Sequence, residues 1–406
     1  MNILVVSVLY PEPEYLNIPK DTKAVHYFAA KWVQSGHKVT VLHPHINPIS
    51  RILCRLKSKY KNKIVQTQTD GVSVFFGQEQ LIRPHTSILS VGKQKRLAKR
   101  FVRHFSQNGI DLQADLVAVH FPVAVLHFME YFAQPQKTVA VLHGSDVDML
   151  ANMSDTQRQT AIAKLNQTCK TIAFRSQILK ERALAMGLGT EDSPVLYSGI
   201  DDCLIADKKA IEEKMASPAS QTLKILYAGR LLQQKCIDQV LKALAMIKDE
   251  VCFEFKVLGD GSARAELEAL TEQLGLSKQV HFLGNCPREQ VLKHMYASDV
   301  FAMVSINETF GLVYLEAMAQ GCIAIGTKNE GIDGVIKDGE NGFLIEAFDT
   351  KTLAERICQI AQMTQAQRAQ MIERSYASVK DMSDTNMSKQ YLTLVCNCDT
   401  ERRKER

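Results

Sequence analysis

Short, continuous apolar runs separated by helix-length segments recur along the whole chain, and this alternation constrains the fold more than any other feature. The first series comprises Ile3–Val8, Lys38–Leu42, Leu116–Phe121, Val139–His143, Thr171–Phe174 and Val195–Tyr197. Ala24–Gln34 has helical character and is stopped by Gly36-His37. The polar stretch ADKKAIEEKMASPASQT, residues 206–222, then interrupts the pattern. A second series follows: Lys224–Tyr227, Phe253–Leu258, Val280–Phe282, Val300–Val304, Ile323–Gly326 and Phe343–Ile345. Apolar strands that alternate with helices predict parallel sheets covered on both faces, so the fold class is α/β with two doubly wound domains. The predicted boundaries are a first domain over 1–205, a linker over 206–222, a second domain over 223–380, and a C-terminal helix with a charged tail over 381–406.

A length of 406 residues is enough for two or three cores, and 46% hydrophobic with 23% charged residues describes a globular chain. No apolar run approaches the ~20 residues of a membrane span. The N-terminus MNILVVSVLYPEPEY lacks a basic leader and runs straight into a strand, so no signal peptide is expected. Ten cysteines without a C-x-x-C pair predict a reduced, cytoplasmic protein rather than a disulfide framework or a zinc site. The net charge of +5 is unevenly spread: residues 1–200 hold 24 Lys+Arg against 14 Asp+Glu.

The stretch SINETFGLVYLEAMAQG, Ser305 to Gly321, leads from an apolar strand into a helix that Gly321 ends. The backbone N–H groups of Phe310, Gly311 and Leu312 are expected at the helix start, ready for an anion or sugar hydroxyls. Glu308 precedes the helix and Glu316 lies about one and a half turns into it. A ligand that carries both phosphates and hydroxyls would satisfy this combination.

Read as E308-T-F-G-L-V-Y-L-E316-A-M-A-Q-G321, this stretch closely resembles the E-x7-E motif of the retaining family 4 glycosyltransferases. The resemblance implies a GT-B fold, two Rossmann-like domains facing a cleft, and a nucleotide diphosphate-sugar as donor, a UDP-sugar foremost. It also implies that Glu316 holds the ribose hydroxyls, and that Glu308, Thr309, Phe310, Gly311 and Leu312 meet the donor sugar. YAGRLLQQKCID resembles the family's G-R-L-x-x-x-K-G, whose cations clasp the diphosphate, here Arg230 and Lys235; Cys236 stands where the family usually has Gly. Two cations at a strand end suit a phosphate leaving group, where charge builds as the glycosidic bond breaks. Leu258-Gly259-Asp260-Gly261 forms a tight turn after a strand. Arg264 replaces the third glycine of a dinucleotide fingerprint, so Gly259 is expected to line a nucleotide pocket, not a nicotinamide site. His143-Gly144-Ser145-Asp146 resembles the family's H-G-x-D turn, which implies that His143 reaches the donor sugar from the first domain.

Other readings stay open. Asp146 and Asp148 form a D-x-D, a pattern that elsewhere binds a divalent metal, although Arg230 and Lys235 already supply positive charge and no metal or other cofactor is expected. The family's Gly-Gly pair after the first strand is absent; Lys20, Asp21 or Thr22 stands there. Residues 51–63 and 93–105 are basic and acid-free, and the second carries Leu97, Phe101 and Phe105 at four-residue spacing. Such a face is either solvated while the helix packs in a core, or docks on the inner, anionic surface of the membrane. No base-reading module is present, so nucleic acid is not an expected partner. The reading is a retaining hexosyltransferase acting on a glycan or lipid-linked acceptor. Glu308, His143, Arg230 and Lys235 are its candidate catalytic groups. A phosphorylase-like or hydrolytic enzyme and a non-catalytic nucleotide-binding protein are the alternatives.

Overall fold

The structure is a computed structural model that describes residues 1–11, 24–48, 64–81, 99–100, 102–103, 105–126, 129, 134–218 and 220–401. The chain divides into two units. Unit 1 is Met1–Arg175, Leu179–Leu196 and Met387–Arg406; unit 2 is Ser176–Ile178 and Tyr197–Asn386.

Unit 1 is built on seven strands: β1 (Asn2–Val6), β2 (Lys38–Pro48), β3 (Ile64–Thr69), β4 (Val72–Leu81), β5 (Leu116–His120), β6 (Thr138–Leu142) and β7 (Thr171–Phe174), in the order β3-β4-β2-β1-β5-β6-β7. All neighbours are parallel except β3 with β4, an antiparallel edge hairpin that the sequence reading missed. Its strands are rich in Gln, Thr and Ser and lack the continuous apolar signature of buried parallel strands. The run at Val195 forms only a single bridge to Phe174.

Unit 2 carries β8 (Leu223–Ala228), β9 (Phe253–Leu258), β10 (Val280–Gly284), β11 (Val300–Ala302), β12 (Ile323–Thr327) and β13 (Gly342–Ile345). They form one wholly parallel sheet in the order β10-β9-β8-β11-β12-β13. Counted within the unit this is 3-2-1-4-5-6, the order of doubly wound nucleotide-binding sheets. Its switch point lies between β8 and β11, and the loops leaving those two strands carry Arg230 and Glu308. Both units are Rossmann-like, as the alternation of runs predicts.

The division of the chain differs from the expected one in two places. Residues 206–222 do not form a linker. Lys208–Ala216 is a helix capped by Asp207, whose carboxylate accepts from Ala210 N at 3.0 Å, and it belongs to unit 2. Its composition reads as a linker because most of the helix faces solvent, but Ile211 is buried. Lys214 donates to the carbonyls of Ser298 and Gln320, each at 2.8 Å, and so closes the ends of two helices. The second difference is the C-terminal helix Asp384–Glu401, which from Met387 onward belongs to unit 1. Tyr391 packs against Phe28 and Trp32 with ring centroids 5.3 and 4.9 Å apart, and Trp32 Nε1 donates to Ser388 O at 3.0 Å. A pattern of local periodicity does not reveal which core an isolated terminal helix completes.

Candidate functional site

In unit 2 the carboxyl ends of β8, β9 and β10 are stitched together through backbone bonds. Gly229 N donates to Leu258 O at 3.0 Å, Gly259 N to Gly284 O at 2.7 Å, and Leu231 N to Asp260 O at 3.0 Å. Gly259 has φ +123°, and a Cβ there would sit 1.9 Å from Gly229 O. Its lack of a side chain is first a packing requirement of these crossing loops; only a glycine allows the Arg230 loop to lie so close.

A pocket of about 400 Å³ opens at these strand ends and is lined by Arg230, Lys235, Gly259, Asn285, Arg288 and Glu316, with Leu258, Met303 and Val313 among the apolar groups. Arg230 is exposed, and the Tyr227 hydroxyl fixes its loop by donating to Arg230 O at 2.9 Å. Among the described residues the Arg230 guanidinium makes no ion pair. Lys235 does: Nζ pairs with Glu308 Oε2, both side chains being about five-sixths buried. Lys235 ends a short 3-10 turn, Gln233–Lys235, followed by Cys236 at φ +50°. That left-handed conformation explains why a glycine would suit the position, and the buried thiol occupies it instead.

The helix predicted to start near Thr309 spans Leu312–Ala319. Gly311 is its N-cap at φ +79°, and no side chain caps the helix, so its first N–H groups remain for a ligand. Thr309 is exposed, Phe310 is buried and stacks on Tyr197 (centroids 5.4 Å apart), and Leu312 is half-buried. The loop before the helix is held by Glu330, whose two carboxylate oxygens accept from Asn307 N at 2.9 Å and Glu308 N at 2.7 Å. Gly331 N donates to Glu308 O at 2.9 Å. Within the helix, Glu316 is only 6% exposed and pairs with Arg288, the first residue of the Arg288–Ala297 helix. Burial pushes the Glu316 carboxyl above its ordinary pKa, and Arg288 works against that shift.

Arg230, Lys235, Gly259 and Glu316 therefore line one pocket, and Glu308 is tied to it through Lys235. Arg288 and Glu330 were not singled out from the sequence. Both lie just past the ends of strands, β10 and β12, where open α/β sheets bind ligands. That position was their only signal.

In unit 1, His143 follows β6 and precedes the Gly144–Ala151 helix. It is buried, its ring stacks on Phe121 with centroids 3.8 Å apart, and its Nε2 lies 3.0 Å from His120 Nδ1. His120 Nε2 in turn lies 3.5 Å from the Tyr391 hydroxyl. Burial and the nearby Arg175 lower the His120 pKa to about 3; burial, His120 and Arg175 hold His143 well below the ordinary range. Both imidazoles are neutral near pH 7. The D-x-D reading finds no support in the geometry. Asp146 accepts from His143 N at 2.8 Å and from Val123 N at 3.0 Å, whereas Asp148 is exposed on the same helix, and side chains two residues apart point away from each other. Among the described residues no cluster of His, Cys, Asp and Glu could hold a metal ion.

Residues 51–63, together with Lys20, Asp21 and Thr22, lie outside the described residues. So do Lys93, Lys95, Arg96, Leu97 and Phe101. Phe105 is buried in the core of unit 1, as the packed-helix reading requires, and Lys99 and Arg100 are exposed. Among the described residues no helix is long and apolar enough to cross a membrane.

Two Rossmann-like domains, with a cation-rich pocket at the strand switch point of the second, define a protein of GT-B fold. Residues 208–378 match the family described as glycosyl transferases group 1, and the chain carries a domain of that family. It is 29% identical over 270 residues to N-acetyl-alpha-D-glucosaminyl L-malate synthase of Bacillus anthracis, covering 65% of this chain and 70% of that protein. It is 24% identical to the amylovoran biosynthesis glycosyltransferase AmsK of Erwinia amylovora, over 61% of this chain and 62% of that one. Among solved structures, Anabaena HepE in complex with UDP and glucose superposes with a TM-score of 0.64 at 20% identity, over 98% of this chain and 100% of that one. The lipopolysaccharide outer core galactosyltransferase WaaB gives 0.66 at 15% identity, over 98% and 99%. The chain is a glycosyltransferase.

Proposed function

We propose that this glycosyltransferase moves a hexosyl group, with retention of configuration, from a UDP-sugar to a hydroxyl of a glycan or lipid-linked precursor. The observation that carries the reading is the convergence of Arg230, Lys235 and Glu316 on one pocket at the switch point of unit 2. Cations there suit a diphosphate, and the buried carboxylate suits the ribose hydroxyls. The donor sugar would lie towards Glu308 and the start of the Leu312–Ala319 helix, and His143 is kept as a candidate group of unit 1. Glu308 is committed to Lys235 and is not an open nucleophile. A front-face displacement, in which the departing phosphate assists the incoming hydroxyl, is therefore the mechanism proposed. Arg230 and Lys235 would stabilise the charge that grows on the phosphate.

The acceptor class follows relatives named for amylovoran biosynthesis and for lipopolysaccharide core biosynthesis. With the basic stretches 51–63 and 93–103, it suggests work at the inner, anionic membrane surface. Co-sedimentation should then favour anionic over neutral vesicles and weaken with salt; equal binding to both would remove the membrane from this reading.

A thermal-shift panel of nucleotide sugars tests the donor. A ligand that binds only the folded state raises the melting temperature, so a UDP-sugar should give the largest shift. A larger shift from a purine nucleotide sugar would overturn the choice of base.

A further inference from the structure

We propose that Arg288 is a positioning residue that holds Glu316 ionised and aimed for a ribose diol, and thereby sets the preference of this pocket for ribonucleotides. The inference rests on the donor-site reading above. Glu316 sits inside a helix at 6% exposure, where an unpaired carboxylate would take up a proton. Its counter-charge comes from a different element: Arg288, at the start of the Arg288–Ala297 helix, reaches Glu316 Oε1 from a half-exposed position on the pocket wall. A carboxylate with one oxygen gripped by a guanidinium keeps its orientation and still offers acceptor lone pairs to hydroxyl donors. A protonated carboxyl in the same place would be a weaker acceptor for two hydroxyls.

The charged groups around Glu316 are few. Arg230, Lys235 and Arg288 line the same pocket, and among its described lining residues Glu316 is the one carboxylate. Lys214 lies at the far end of the Leu312–Ala319 helix, where its ammonium is spent on carbonyls. Arg288 is also the cation that directly opposes the burial of Glu316. Its loss would therefore raise the Glu316 pKa further, so that more of it is protonated at neutral pH and ionisation returns as pH rises.

Calorimetric titration with UDP and 2′-deoxy-UDP tests this on wild type, Arg288→Met, Arg288→Lys and Glu316→Gln. Wild type should prefer UDP. Arg288→Met should bind UDP about tenfold more weakly at pH 7, with a smaller loss for the deoxy form. Part of the UDP affinity should return at pH 9, and Arg288→Lys should restore most of it at pH 7. If Arg288→Met weakens both nucleotides equally, or leaves the UDP preference intact while Glu316→Gln abolishes it, the role given to Arg288 is wrong and the donor site stands. If wild type binds neither nucleotide, or Glu316→Gln binds both like wild type, the donor-site reading fails and this inference fails with it.

Discussion

Lys235 and Glu308, 73 residues apart in sequence, form an ion pair at the switch point of the second sheet, with side chains only 16% and 17% exposed. A cation expected to meet phosphate and a carboxylate expected to meet sugar thus neutralise each other before any ligand arrives. Removing one partner strands the other charge. Lys235→Met should cost about 2–3 kcal/mol of stability in urea unfolding, and Lys235→Met with Glu308→Gln about 1–2 kcal/mol less than that. A double variant as unstable as the single one would show that the pair is not coupled.

Glu330 anchors the loop that presents Glu308 through two backbone N–H groups. Glu330→Ala frees that loop without touching the cations. Displacement of a substrate-positioning group costs rate more than ground-state affinity, so kcat should fall about ten- to a hundredfold with donor KM within about threefold of wild type. An unchanged kcat would show that the loop keeps its place unaided.

Most of the fold was legible because buried parallel strands leave continuous apolar runs. All six runs assigned to unit 2 became strands, although Val300–Val304 shortened to Val300–Ala302. The placement of the candidate site was legible where a motif is local: Glu308 to Glu316 lies on one loop and one helix. Arg288 and Glu330 were not, because each acts across the sheet from the end of another strand and belongs to no contiguous pattern. The stretch 206–222, which contains Lys214, was misread as a linker for a related reason. A lysine in a polar stretch looks solvated until the carbonyls it caps, at Ser298 and Gln320, are known.

The buried histidine pair predicts how unit 1 responds to acid. His120 and His143 have folded pKa values below the ordinary 6.5, so between pH 6.5 and the lowered values the unfolded chain binds more protons. Stability from this pair is present above pH 6.5 and is lost on acidification, by roughly 1 kcal/mol per pH unit for each histidine. Asp146 runs the other way, since burial raises its pKa to about 7 and its contribution fades as pH rises through that value. Subtraction isolates the histidine term: the stability difference between wild type and His120→Gln should shrink as pH falls from 7 to 5. A difference that does not change with pH would mean that His120 takes up its proton as readily in the folded state as in the unfolded chain.

Activity should survive a chelator. Asp146 spends both carboxylate oxygens on backbone N–H groups, while Arg230 and Lys235 provide positive charge where a diphosphate would sit. Donor turnover in EDTA within about twofold of the untreated rate is expected, because the charge that a metal would supply is supplied by side chains. Complete loss, restored by manganese or magnesium, would return the metal reading.

Steady-state release of nucleoside diphosphate from the donor, compared between wild type, Arg230→Ala with Lys235→Ala, and Glu316→Ala, tests the central claim most directly. Phosphate charge grows during bond breaking, whereas ribose contacts are equal in ground and transition states. The account predicts that the cation variant loses about a hundredfold or more in kcat, and that Glu316→Ala raises donor KM with kcat nearly unchanged. A cation variant that keeps the wild-type kcat, or a wild-type protein that releases diphosphate from no nucleotide sugar, would contradict it.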